Sequence, residues 1–264
     1  MDKSQPPSIS SQDLHAMIGT AASPLIIDVR SAAAFDSDDK LIAGAIRREP
    51  AELEQSPSRV ASTRPLVVYC VHGHEVSQGV AAALRNHGID ASYLAGGISK
   101  WVEHGLPTRR KTGASPGNWV TRERPTIDRI ACPWLISRFI DPEAQFLYVP
   151  SATVHETAEK TGATPYDVAN VEFGHHGEFC SFDAFVRIYG ISDAALDRLA
   201  VIVRGADTSR PDLTPQSAGL LALSQGLKIN YRDDHAMLSQ GMIIYDALYA
   251  WCRAEIQKPA SKKG

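Results

Sequence analysis

PLVVYCVHGHEVSQG, residues 65–79, decides how the first half of this 264-residue chain is read. Leu66 to Tyr69 is a Val-rich apolar run between Pro65 and Cys70, the pattern of a strand buried on both faces. A short loop carries His72, Gly73 and His74, and from about Glu75 the sequence VSQGVAAALRNHG turns helical. Cys70 therefore falls between a strand end and a helix start. Backbone N–H groups and the helix dipole converge there and favour the thiolate over the thiol. Two roles stay open for such a cysteine: a nucleophile or sulfur carrier, or a small buried hydrophobe that closes a strand.

The flanking sequence repeats the pattern. Ser10 or Ser11 caps a short helix, QDLHAMIG, after a loose tail over residues 1–8. LIIDVR at 25–30 is a second buried-strand run. Its Asp28 and Arg30 form either a surface pair or a brace for the neighbouring loop. SAAAFDSDDKLIAGAIR at 31–47 predicts a short helix, an acidic loop and a return to the sheet. IDASYLAGG at 89–97 is a further strand entering a Gly-Gly turn, and ISKWVEHGLP at 98–107 is a helix stopped by Gly105 and Pro107. Strands alternating with helices predict an α/β layer structure with a parallel sheet.

Composition narrows the function. Apolar residues make up 44%, charged residues 22%, and the net charge is −3, so no bulk charge draws the chain onto nucleic acid or a membrane. The polar N-terminus, MDKSQPPSISSQ, does not read as a signal segment, and a cytoplasmic location is expected. Cysteines at 70, 132, 180 and 252 contain no C-x-x-C pair, which is neither a disulfide framework nor a zinc ribbon. No nucleotide cofactor is expected.

RRKTGASPGN (109–118) is a basic joint, and the linker is set at 109–117 between a domain over 1–108 and one over 118–257. Residues 258–264 form a frayed tail. The second domain opens with a strand at WVT. Thr126 then caps a helix carrying Ile127, Ile130, Ala131, Trp134 and Leu135, which Pro133 kinks or breaks. AQFLYVP (144–150) predicts a strand, VHETAEKTG a helix, and VEFGHHGEFC (171–180) a strand or ribbon. Helices follow from a cap at Ser181, over 192–207, from Pro215 to Asn230 and from Asp233 to Ala254. The prediction is a mainly helical α+β domain.

Its chemistry-bearing residues are scattered. His175, Asp207 and His235 are the expected ligands of a divalent transition metal or zinc, with Glu178 and Asp234 beside them. Asp233 and Asp234 equally suit an ordinary helix start. Arg122, Arg124, Arg129 and Arg138, with Arg204, suit bidentate binding of an oxyanion, or surface ion pairs with Asp128 and Asp141. Cys132 and Cys180 read as core fillers.

Two family resemblances overlay this reading. DVR at 28–30, the cysteine ending VVYC, and GGISKWVEHGLP at 96–107 resemble the rhodanese domain over residues 1–110. The resemblance implies a persulfide on Cys70, cradled by the N–H groups of residues 71–75. The family loop reads C-x-x-G-x-R. Here Gly73 is in place, but Glu75 stands where the arginine is expected. A carboxylate there repels anionic thiosulfate, so a glutathione- or protein-bound persulfide, or a substrate presented by the second domain, is expected instead. His72 and His74 either supply positive charge to the loop or are ordinary exposed histidines. DRIACPWLISRFID (128–141), HHGEFCSFDAF (175–185), GAD (205–207) and DDHAML (233–238) resemble the C-terminal domain of the chromate-resistance protein ChrB family. That implies a link to chromate resistance through sensing or detoxification, with chromate a candidate ligand. The leading expectation is a sulfur carrier or sulfurtransferase coupled to a metal- or oxyanion-binding domain. The alternatives are a chromate or redox stress sensor without turnover, and metal-dependent redox chemistry in the second domain.

Overall fold

The computed structural model describes residues 5–60, 64–112 and 117–258. The chain divides into two units, one of Met1–Lys111 with Arg138–Pro142 and one of Thr112–Ser137 with Glu143–Gly264.

In the first unit the strands are β1 (Ser8–Ile9), β2 (Leu25–Asp28), β3 (Lys40–Ile42), β4 (Ala45–Arg47), β5 (Leu66–Tyr69), β6 (Ala91–Leu94) and β7 (Thr108–Arg110). The helices are α1 (Ser11–Met17), α2 (Ala32–Asp36), α3 (Pro50–Gln55), α4 (Glu75–Asn86) and α5 (Gly97–Glu103). Five strands form one parallel sheet in the order β1-β6-β5-β2-β4, with Ile27 opposite Val68 and Val67 opposite Ser92. Every residue of β2 and β5 is buried, as an apolar run flanked by helices requires. Leu25, Ile27, Val29, Leu66, Val68, Val80 and Leu84 share one core. Ser10 is the residue that caps α1, accepting from the Asp13 N–H.

Two segments differ from the sequence reading. Ser8 and Ile9, assigned to a loose tail and its edge, are a strand: the free edge of β6 takes them up, Tyr93 N–H donating to Pro7 and Ala95 N–H to Ile9. Residues 1–4 of that tail lie outside the described residues. Arg109 and Arg110, read as the start of a solvated joint, lie in β7 antiparallel to β3. The Arg109 side chain is buried and donates to the Ala45 carbonyl. Of the expected linker, residues 113–116 are outside the described residues, as are residues 259–264 of the expected tail.

The second unit contains a small parallel sheet, β8 (Asn118–Arg122), β9 (Gln145–Val149) and β10 (Thr164–Pro165), in the order β10-β8-β9. Its helices are α6 (Asp128–Leu135), α7 (Val154–Thr161), α8 (Ser181–Tyr189), α9 (Ala194–Asp207), α10 (Pro215–Asn230) and α11 (Asp234–Gln257). Trp119 meets Phe173 and Phe185 edge-on or tilted, and Phe173 stacks on Phe185 at 4.4 Å. The α6 start departs from expectation. The capping position is Ile127, at a φ of 40°, and no side chain caps it; Thr126 instead accepts from Arg129. Nor does Pro133 end α6. The carbonyl that a residue-133 N–H would have bonded belongs to Arg129, and the Tyr148 hydroxyl donates to it at 3.1 Å. The helix then runs on into a wide π-turn at Ile136–Ile140. Residues 171–180 form no strand, only turns and isolated bridges, one from Phe173 to Tyr166 and one between His176 and Phe179.

The Cys70 loop is pinned by the Gly-Gly turn. Ile98 and Ser99 N–H groups, in the first turn of α5, donate to the carbonyls of Cys70 and Val71 at 3.1 and 3.0 Å. Gly97 has a φ of 57°, and a Cβ on it would fall 2.4 Å from the Cys70 carbonyl oxygen. Gly97→Ala is expected to destabilise the first unit by at least about 2 kcal/mol. Gly79→Ala, on an open face of α4, should stabilise it by about 0.5–1 kcal/mol. Chemical denaturation of both variants checks the pair.

Candidate functional site

β5 delivers Cys70 to the mouth of the loop and α4 starts five residues later. The thiol is 7% exposed. Burial alone pushes it up. The Ser77 hydroxyl, 3.2 Å from the sulfur, and the backbone N–H groups of Ser77, His74 and His72 outweigh that, so the thiol lies below its ordinary value. Expectation put the cradle on the amides of 71–75. The structure uses those of residues 72 and 74 and adds Ser77, in the first turn of α4. Sequence reasoning did not single out Ser77, because a serine in a helical run carries no marker of its own. Gly73 has a φ of 72°, and a Cβ on it would lie 2.4 Å from the Leu94 carbonyl oxygen, so the loop closes only with glycine. His72 and His74 are exposed with ring centroids 6.0 Å apart. Glu75 is exposed at the first position of α4.

Asp28 and Arg30 are not a surface pair. They are 0% and 1% exposed, and the guanidinium bonds Asp28, Asp38 and the Lys40 carbonyl. The Tyr69 hydroxyl donates to Asp28 and accepts from the Ile42 N–H. The end of β5, next to Cys70, is thus tied into a filled polar network. Removing one partner of such a buried pair typically costs about 3–5 kcal/mol.

The second unit gathers a different chemistry. His175 lies in the turn before α8, Asp207 ends α9, Asp128 begins α6, and Asp167 follows β10. The His175 Nε2 is 3.1 Å from Asp207, 3.3 Å from Asp167 and 3.5 Å from Asp128. Asp128 is fully buried. One of its oxygens accepts from the Ser181 N–H, and the other has no hydrogen-bond partner among the described residues. Burial, with Asp207 next, pushes its carboxyl up to about 7 against the pull of His175. Asp167 is held low despite burial, by His175, Arg129 and Arg122. His175 itself is pushed up to about 12 by its bonds to Asp128, Asp167 and Asp207. One ligand atom each from Asp128, His175 and Asp207 lie within 4.8 Å of one another, a grouping able to hold a metal ion.

The structure brings together His175 and Asp207 from the expected ligand set, with Asp128 as the third member. Glu178 is exposed and outside the grouping. Asp234 accepts from the Arg124 N–H, and His235 rests edge-on against Tyr148 at 5.5 Å. Sequence reasoning had treated Asp128 as an ion-pair partner and had not singled out Asp167. The arginines do not form one cluster. Arg122 and Arg129 both bond Asp167 at 3.0 Å. Arg124 closes the end of α10 through the Lys228, Tyr231 and Arg232 carbonyls. Arg204 pairs with Asp183, and Arg138 is grouped with the first unit. Cys132 and Cys180 are fully buried, which raises both thiols.

Residues 119–252 match the family described as ChrB, C-terminal domain, and residues 10–104 match the rhodanese-like domain. Protein ChrB of Cupriavidus metallidurans is 30% identical over 157 residues, 59% of this chain and 47% of that protein, so the chain spans about half the length of that relative. Thiosulfate sulfurtransferase GlpE of Coxiella burnetii is 33% identical over 81 residues, 30% of this chain and 73% of that one. A rhodanese-related protein of Thermoplasma volcanium, of known crystal structure, is 26% identical and covers 39% of this chain and 96% of its own, with a TM-score of 0.34. Among the described residues no helix is long and apolar enough to cross a membrane.

Ser77→Ala removes the hydroxyl bonded to the sulfur, so the Cys70 thiol should ionise at higher pH than in the native protein. The pH profile of iodoacetamide alkylation at Cys70, followed by peptide mass spectrometry, measures the shift; an unchanged midpoint contradicts the assignment.

Proposed function

Because the chain belongs to the family defined by the ChrB C-terminal domain and carries a rhodanese-like domain ahead of it, we propose that Cys70 is the nucleophile of a sulfur carrier acting in chromate resistance. The observation that supports this most is the Ser77 hydroxyl 3.2 Å from the sulfur of the 7%-exposed Cys70, which with the loop amides favours the thiolate. The Cys70 thiolate attacks the outer sulfur of a donor persulfide. A new S–S bond forms, the donor's own S–S bond breaks, and the donor leaves as a thiolate that takes up a proton. An acceptor nucleophile then attacks the outer sulfur of the Cys70 persulfide and restores the thiolate. No outside oxidant is needed, since the sulfane sulfur only changes partner. The same amides and hydroxyl that favour the thiolate stabilise the persulfide anion.

Glu75 sets the donor. It stands exposed beside the loop, where a negative charge disfavours dianionic thiosulfate. A glutathione persulfide or a protein-bound persulfide suits the loop better. The second unit, in this reading, holds a divalent transition metal or zinc, with His175 and Asp207 as ligands, or instead an oxyanion such as chromate. The protein works in the cytoplasm.

Turnover with glutathione persulfide should exceed turnover with thiosulfate. Cys70→Ser should abolish both, and Glu75→Arg should raise the thiosulfate rate roughly tenfold, about 1.4 kcal/mol of barrier. Absence of turnover with every donor contradicts the proposal.

A further inference from the structure

We propose that Asp128, His175 and Asp207 form a mononuclear site for a hard divalent cation of the Mn2+ type, open on its His175 side. The inference rests on reading the second unit as the metal-holding one, and it is independent of Cys70.

Four observations carry it. Three separate elements, the start of α6, the end of α9 and the turn before α8, bring one ligand atom each within 4.8 Å of the others. Asp128 is fully buried with one oxygen unpartnered. A buried carboxylate oxygen without a partner is costly, and among the described residues nothing relieves it. His175 Nε2 faces three carboxylates at 3.1–3.5 Å. A single ring nitrogen carries at most one proton, so it satisfies one of them well, whereas a dication between Asp128 and Asp207 satisfies both and takes the imidazole lone pair. Finally, His175 lies on the wall of a cavity of 530 Å³ that Arg122, Ser151, His155 and Asn170 also line. With the His175 side chain 43% exposed and that of Asp207 17%, the grouping is open to solvent on that side.

Asp167 is not a ligand in this assignment. Both of its oxygens are already engaged, one by Arg122 and Arg129 and the other by the Ser181 hydroxyl. Ser181 also donates its N–H to Asp128, so the residue orients both carboxylates. The donor set decides the ion. Two carboxylates and one imidazole, without thiolate, suit Mn2+ better than Cu+ or a thiolate-bound zinc. Cys132 and Cys180 are buried and stand outside the grouping.

Isothermal titration of the full chain with MnCl2 tests the site. One Mn2+ per chain is expected. Asp207→Asn and His175→Gln should each weaken binding at least roughly tenfold, and Asp128→Asn at least as much. Glu178→Gln and His235→Ala should leave it unchanged. Circular dichroism checks each fold; should buried Asp128→Asn fail to fold, the half-exposed His175→Gln decides. No Mn2+ binding at millimolar concentration, or binding indifferent to both His175→Gln and Asp207→Asn, overturns the assignment. Saturation by Zn2+ with Mn2+ excluded overturns the choice of cation. Sulfur loading of Cys70 in the same preparations reads the sulfur-carrier reading separately. Chromate titration of a chain that fails to bind Mn2+ tells an oxyanion-holding second unit from one that holds neither.

Discussion

A sulfur anion at 7% exposure survives only if fixed dipoles replace the water it has lost, and in this chain the Ser77 hydroxyl and the N–H groups of residues 72, 74 and 77 do so. Much of the first unit serves that arrangement. β5, the central strand, carries Cys70 at its C-terminal end, the Asp28–Arg30–Tyr69 network holds the end of β5, and the first N–H groups of α5 hold the carbonyls of Cys70 and Val71. Gly73 and Gly97 are needed because backbone atoms of other segments occupy the space a Cβ would take. The reactive loop is therefore braced from both sides, and its geometry depends on contacts made by the whole parallel sheet.

The second unit solves an opposite electrostatic problem. Its carboxylates crowd around one imidazole, and the positive charge needed to hold them comes from Arg122 and Arg129 on one side and from His175 on the other. Asp167 is fully engaged and Asp128 is not. That asymmetry separates a carboxylate that orients its neighbours from one with coordination capacity to spare. The residues named at the thiol site all belong to the first unit and those named at the carboxylate site all to the second.

Much of this was readable from the residues alone, for identifiable reasons. β5 is an unbroken apolar run and β2 is apolar up to Asp28 at its end, the pattern of a buried parallel strand; Cys70 was singled out from its place at the end of β5. β1 was missed because two residues gain strand geometry only from the free edge of β6. Pro133 was expected to kink or break α6 and does not end it; the carbonyl it leaves free is bonded by Tyr148, a partner fifteen residues further on that no local pattern announces. The carboxylate site was half legible. His175 and Asp207 stand out by type, whereas Asp128 looks like any helix-start acid and Asp167 like any loop acid. Their roles come from burial and convergence, and neither is written in spacing. His235 and Asp234 had the right types and were used elsewhere, against Tyr148 and the Arg124 N–H.

Intact-protein mass spectrometry after brief exposure to glutathione persulfide tests the central claim most directly. The account predicts one added sulfur atom, located by peptide mapping on Cys70 and removed by a thiol acceptor. A chain that remains unmodified, or that takes up sulfur on another cysteine while Cys70 stays free, would contradict it.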